Sequence, residues 1–264
     1  MTKIIFFGNG PLADYALKAL TKKSHEIVFH AREKSDLEEV KRLKIADKTG
    51  ELHGVLASFG VIIKQDVLDL FEPEGILNIH PSLLPKYRGP SPIESAILNG
   101  DKEFGVSVMK LVPAMDAGPI YFQKSITLER ATKDDTYQIL ATSGAEWIAD
   151  NLENLPTPVP QNDDNATYTK KFDKSMSPLN PQTKTAGELE CQVRAFAGFP
   201  KSKFSFFGLD CIIVSAHVAT HQEKDDTHTL FIQCYDGSRL VIDEIQPAGR
   251  KIMDAKSFLN GYAR

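Results

Sequence analysis

The chain has 264 residues and carries 31 Lys and Arg against 35 Asp and Glu, a formal net charge of −4. That balance excludes a large, uniformly basic nucleic-acid surface, while 42% hydrophobic and 25% charged residues exclude wholesale disorder and supply a real core. Three cysteines without a C-x-x-C pair read as reduced thiols, no stretch approaches the roughly 20 apolar residues of a spanning helix, and the short apolar start lacks the form of a signal peptide, so a cytoplasmic protein with no membrane association is expected.

Residues 3–7 (KIIFF) predict a strand stopped by Gly8-Asn9-Gly10-Pro11, after which Leu12, Ala16, Leu17 and Leu20 recur at helical spacing. A second strand is expected at 26–29, and Ser35 with Glu38 reads as a capping box opening a helix to about Leu43. A third strand at 52–58, a short helix at 65–70 and a fourth strand at 75–79 lead into a Pro-rich loop. A helix at 92–98, strands at 105–112 and 119–126 and a long helix at 134–152 follow. This alternation of short apolar strands with helices predicts an α/β fold, a mostly parallel sheet with helices on both faces.

After Leu155, three prolines and the polar run Q-N-D-D-N mark a loop. Residues 168–184 hold Lys170, Lys171, Lys174 and Lys184, with Pro178 and Pro181 forbidding a continuous helix, and read as a basic, extended connector. A helix at 186–196 and β-like runs at 204–207, 210–217, 228–234 and 239–245, with Asp236-Gly237 as a hairpin turn, predict a small β domain. The expected organisation is an α/β domain over 1–167, a linker over 168–184 and a C-terminal domain over 185–264.

Three segments bear on chemistry. G-N-G-P-L-A at 8–13 has the letters of a dinucleotide fingerprint, but the second strand ends in His30, Ala31 and Arg32 rather than in an acid, and a tight turn into a helix also explains both glycines. In L-N-I-H-P-S-L-L-P (77–85), Asn78 and His80 are two apart on a strand, so an amide and an imidazole leave the same face. In L-V-P-A-M-D-A-G-P-I (111–120), Asp116 is a lone carboxylate in an apolar loop, either a turn residue or the partner that fixes a histidine tautomer. His217, His221 and His228 lack a zinc-like set of companions, so no metal is expected, and Glu223, Asp225 and Asp226 read as a solvated hairpin tip. Serine-hydrolase and P-loop motifs do not occur.

Taken jointly, Asn78-Ile79-His80-Pro81-Ser82-Leu83-Leu84-Pro85 and Asp116-Ala117-Gly118-Pro119-Ile120 resemble the signature of the folate-dependent formyltransferases. R-G-P-S-P-I at 88–93, A-S-F-G-V-I-I at 57–63, Ala166-Thr167-Tyr168 and the long ending from Asp236 look like the branch of that family acting on methionyl-tRNA. The resemblance implies a Rossmann-like catalytic domain and a C-terminal OB-like β-barrel. It implies 10-formyltetrahydrofolate as donor, initiator methionyl-tRNA as acceptor, a monomer, and Asn78, His80 and Asp116 as the catalytic trio. Folate would touch Phe59, Ile62, Ile63, Ser82, Leu83, Leu84, Pro85, Leu111 and Val112. Gly8, Asn9, Gly10, Leu12 and Arg88 would receive the acceptor's reacting end, and Arg32, Lys34, Lys170 and Lys171 would meet tRNA.

In one respect the chain departs from its family. Members carry a longer basic insertion after the second strand, where this chain has only H-A-R-E-K-S. Residues 185–264 hold nine Lys and Arg against ten acids, which offers no strong electrostatic grip on RNA. Two other readings follow: formyl transfer to a small amine such as an amino-sugar nucleotide, or a non-catalytic tRNA-binding relative.

Overall fold

The computed structural model describes residues 2–23, 25–220 and 229–263. The chain forms two compact units. One comprises 1–93, 102–130 and 134–170; the other gathers 171–264 together with the short stretches 94–101 and 131–133.

The first unit is built on a six-stranded sheet. Its strands are β1 (Lys3–Gly8), β2 (Glu26–Ala31), β3 (Leu52–Ala57), β4 (Ile76–His80), β5 (Glu103–Lys110) and β6 (Ile120–Thr127), in the order β2-β1-β3-β4-β5-β6. β2, β1, β3 and β4 run parallel, whereas β5 and β6 are antiparallel additions, so the sheet is mixed. The inner parallel strands β1, β3 and β4 are buried on both faces, which is why their sequences are largely apolar runs, whereas the edge strand β2 is partly exposed. On one face Ile5 and Phe7 of β1 and Ile76 of β4 join Leu37 and Val40 of α2 (Leu37–Ala46) and Val67 and Leu68 of α3 (Gln65–Leu68) in one cluster. On the other lies the long helix α5 (Lys133–Asn151). A Cβ on its Gly144 would stand 2.8 Å from Ile79 Cγ2, so the missing side chain lets the helix settle against β4. α1 (Pro11–Lys22) follows β1, and α4 (Pro92–Leu98) precedes β5.

The second unit has α6 (Ala186–Ala195), then β7 (Ser202–Phe206), β8 (Leu209–Val218), β9 (Phe231–Gln233), β10 (Arg239–Pro247), β11 (Met253–Asp254) and α7 (Ala255–Tyr262). Its antiparallel sheet follows the order β11-β10-β8-β7, with β9 on β10. Two register shifts between Ile242 and Ile245 bend β10 and curl the sheet around Leu189, Val193, Ile213, Leu240, Ile245 and Phe258.

Some local expectations are corrected. The helix entry at 34–37 is not capped by Ser35 and Glu38. The capping box is Glu33 with Asp36, on a 3-10 turn at Lys34–Asp36 that runs into α2. The Asp36 carboxylate takes both the Arg32 and the Glu33 backbone N–H, at 2.7 and 3.0 Å, and so outcompetes the serine. α7 was not foreseen. Asp254 caps it through the Ser257 N–H, and Ala255 and Phe258 plant it in the core. His221, Glu223, Asp225, Asp226 and His228 lie outside the described residues. His217 pairs with Asp243 at 2.8 Å.

Candidate active site

β4 supplies the first two groups. Parity puts Ile76, Asn78 and His80 on one face and Leu77 and Ile79 on the other. The helices that cover Ile76 do not extend over the next two positions, which are roofed by loops instead. Asn78 and His80 are each only 5% exposed.

Two loops make the roof. β5 is antiparallel to β4, with Leu77 opposite Lys110, so the 111–119 connection leaves beside the start of β4 and must turn back along it. That return brings Asp116 Oδ1 to 3.7 Å from His80 Nδ1. The loop is pressed onto β5: Lys110 N–H donates to the Pro119 carbonyl, and a Cβ on Gly118 would overlap the Lys110 carbonyl oxygen. The second loop, 81–91, follows β4. Its Tyr87 carbonyl is 3.0 Å from His80 Nε2, and its Gly89 N–H donates to Asp116 Oδ2 at 2.7 Å.

These contacts settle the imidazole's tautomer. A carbonyl oxygen can only accept, so Nε2 carries the hydrogen and Nδ1, facing Asp116, is left as the acceptor nitrogen. At 3.7 Å the two groups are an ion pair in waiting rather than a hydrogen bond. Among the described residues the Asn78 amide has no hydrogen-bond partner. The sole side-chain polar atom there that is both sealed and unbonded is His25 Nδ1, so the Asn78 amide keeps an opening to solvent. Tyr87 (φ 58°), Asp116 (φ 49°) and Ser58 (φ 55°), next to β3, are non-glycine residues in left-handed conformations, which local bonding must hold.

The 81–91 loop is itself strapped by 161–169. Tyr87 N–H donates to Thr167 Oγ1, Arg88 N–H to the Thr167 carbonyl, and Thr169 N–H to the Arg88 carbonyl. The Arg88 side chain is turned inward and 2% exposed, donating to Gln161 Oε1, Asp163 Oδ1 and the Tyr168 hydroxyl. Burial opposes its charge, but the bonds to Asp163 and Tyr168 outweigh that and hold the guanidinium above its ordinary value. The Arg88 side chain is thus committed within the protein, tying Gln161, Asp163 and Tyr168 together.

The other sequence-derived candidates divide. Phe59 and Ile63 are in the core cluster, Phe59 edge-on to Phe7 at 5.6 Å, whereas Ile62 is 86% exposed. Ser82 and Leu84 are buried, and Leu83, Pro85, Leu111 and Val112 are half-buried. Ser82 bonds the Lys86 carbonyl, and Ser107, opposite His80, bonds the Ser82 carbonyl and accepts from Leu84 N–H and Gln123. Leu12 faces the interior, and the Asn9 N–H is taken by the Ser58 carbonyl. That backbone N–H is spent within the protein, whereas the Asn9 side chain is open. Gly10 (φ 82°) turns the chain into α1 as only glycine does easily. Arg32, Lys34, Lys170 and Lys171 are exposed. Sequence reasoning missed Tyr87, Gly89, Ser107, Gln123 and Gln161. The backbone donor and acceptor leave no trace in side-chain patterns, and Gln161 was hidden in a polar run.

Residues 13–152 match the family described as Formyl transferase, and 174–263 match Formyl transferase, C-terminal domain. The methionyl-tRNA formyltransferase of Thiobacillus denitrificans is 34% identical over 303 residues, covering 99% of this chain and 97% of that protein. The protein of the same name from Granulibacter bethesdensis is 36% identical over 218 residues, covering 79% of this chain and 67% of that protein. Among solved structures, HypX from Aquifex aeolicus in complex with tetrahydrofolic acid superposes with a TM-score of 0.72 at 16% identity; all of this chain is covered, but it spans only 48% of HypX. Methionyl-tRNA formyltransferase from Clostridium thermocellum superposes with a TM-score of 0.65 at 16% identity, covering 96% of this chain and all of the other.

Proposed function

Because the chain belongs to the formyl transferase family, we propose that it moves the formyl group of 10-formyltetrahydrofolate onto the α-amino group of initiator methionyl-tRNA. One observation carries this reading. In a chain related over 99% of its length to a methionyl-tRNA formyltransferase, an amide, an imidazole and a carboxylate from two distant segments meet in one roofed site. A folate donor is also in keeping with the tetrahydrofolic acid bound by HypX, a protein of the same fold.

The chemistry follows from the groups. The amine attacks the formyl carbon, a new C–N bond forms, and the bond from that carbon to N10 breaks. Asn78, with its amide unspent on the protein, donates an N–H to the oxyanion that develops on the formyl oxygen. His80 Nδ1 takes the proton the amine sheds and returns it to N10 as that nitrogen leaves, while Nε2–H stays on the Tyr87 carbonyl. Asp116 faces the imidazolium that exists between those two transfers. The pterin is held by the backbone of 57–63 and 111–116 with Ile62 as exposed apolar wall, and Phe59 and Ile63 pack beneath. Residues 1–167 form the catalytic domain, 168–184 the linker, and 185–264 a domain that meets the tRNA, as do Arg32, Lys34, Lys170 and Lys171.

The test offers the protein 10-formyltetrahydrofolate with charged initiator tRNA, charged elongator tRNA, or amino-sugar nucleotides. The expected product is formyl-methionyl initiator tRNA. Exclusive formylation of a small amine, which the short link between β2 and α2 would accommodate, or no transfer at all, overturns the reading.

A further inference from the structure

We infer that Gln161, backed by Arg88, is a positioning residue that sets the approach of Asp116 to His80. The inference rests on the catalytic roles proposed above and adds the part that holds them.

The Gln161 amide is fully committed. Its Nε2 donates to the Asp116 carbonyl at 2.8 Å and the Gly118 carbonyl at 2.7 Å. Its Oε1 accepts from Arg88 Nε at 3.1 Å and Nη2 at 2.7 Å. This orientation is forced, because a guanidinium has only donors and a backbone carbonyl only accepts. One side chain thus ties the two loops of the roof together. On one side it grips the carbonyls flanking Ala117, beside an Asp116 in a left-handed conformation that needs support from its surroundings. On the other it grips Arg88, whose two neighbours are the residues that touch the catalytic pair: Tyr87 through its carbonyl on His80, and Gly89 through its N–H on Asp116.

A closed circuit results, running from His80 through Tyr87, Arg88 and Gln161 to Asp116, and from Asp116 through Gly89 back to the same loop. The His80–Asp116 gap of 3.7 Å is the one link not closed by a hydrogen bond. Its width is therefore set by the others. Gln161 supplies both of the bonds that reach the main chain of the Asp116 loop from the 161–169 segment.

The discriminating change is Gln161→Glu. It preserves size and strengthens the acceptor facing Arg88, but removes both donors and turns a carboxylate oxygen toward two carbonyl oxygens. The measurement is kcat and KM for formyl transfer in Gln161→Glu and Gln161→Ala, each alone and in an Asp116→Asn background, with thermal midpoints alongside. The expected result is a kcat loss of about 10- to 100-fold, the scale of a small misplacement at a reacting centre. The donor KM should move by less than about threefold. In the Asp116→Asn background the same substitutions should cost less than about twofold more, since they act through the missing carboxylate. An equal loss in both backgrounds, or a Gln161→Glu enzyme within about twofold of the parent, overturns the inference.

A wild-type protein that formylates no amine would defeat the functional reading alone. The inference is then decided in the unliganded protein, from solvent exchange of the His80 Nε2–H held by the Tyr87 carbonyl. Exchange about tenfold faster in Gln161→Glu at an unchanged thermal midpoint supports it; unchanged exchange overturns it.

Discussion

Replacing Asn78 by alanine should separate activity from stability. In the free protein the amide is 5% exposed and has no partner among the described residues. The amide keeps a narrow opening to water, and holding such an unpartnered group mostly out of water costs about 1–3 kcal/mol, which truncation returns. Against it stands the hole left by the amide, about 40 Å³, which at about 24 cal/mol per Å³ is worth roughly 1 kcal/mol. The balance runs from neutral to about 2 kcal/mol in favour of the variant, so its thermal midpoint should match the parent's or exceed it by a few degrees, at about 2–4 °C per kcal/mol for a chain of this size. Transition-state stabilisation moves the other way, because removing one oxyanion donor costs about 2.7–4 kcal/mol, a 10²- to 10³-fold drop in kcat. Single-turnover formyl transfer by rapid quench, with calorimetry in the same buffer, tests both halves. Retention of kcat within about fivefold would refute the oxyanion role, and a midpoint lower by about 5 °C or more would show that the amide is spent on the fold.

Two further outcomes follow from particular contacts. Gly118→Ala forces the Asp116 loop off β5, because the new Cβ overlaps the Lys110 carbonyl oxygen; kcat should fall by about 100-fold with about 1–3 kcal/mol of destabilisation, and parental kcat would refute this. Asp47→Asn tests an acid-dependent contribution. Burial works against the Asp47 carboxylate, but bonds from Thr49, Gly50 and Leu52, with Lys44 at 3.5 Å, hold it at about 2, below the ordinary 3.8. A depressed value stabilises the fold above about pH 4, and the contribution fades as pH falls toward 2. Screening near the surface trims it to about 1–2 kcal/mol. Urea midpoints of parent and variant should therefore differ at pH 6 and converge on acidification, and a gap independent of pH would sink the assignment.

What could be read in advance depended on whether a residue's chemistry sets it apart from ordinary core or turn residues. Asn78 and His80 stand out because polar groups two apart interrupt an apolar strand, and strand parity alone sends them to one face. Asp116 stands out as a lone acid in an apolar loop. Phe59, Ile63 and Leu12 are apolar whether they wall a ligand site or fill a core, and burial of all three is compatible with both. Arg88 looks like a cation meant for a substrate until the third dimension supplies Gln161 and Asp163. The alternation of strand and helix was legible, but the reversal of β5 was not, since β5 is buried on both faces and carries the same apolar run as a parallel strand.

That reversal explains why the acid can be where it is. A parallel β5 would have carried its following loop away from the far end of the sheet, beside the end of β4. The antiparallel strand delivers the 111–119 loop at the start of β4, and the loop must lie back over Asn78 to reach His80. The roof over the site is thus the return path itself, closed without an added lid. The short link between β2 and α2 follows the same economy. With Asp36 holding the Arg32 and Glu33 amides, it is a pinned turn, and Arg32 rests on His30 Nδ1 while His30 Nε2–H donates to the Gly8 carbonyl. Two cations on such a turn, with Lys170 and Lys171, can neutralise about four phosphates, worth a salt slope of about −3, so discrimination of the proposed acceptor must come mostly from the shape of its end at the roofed site rather than from charge.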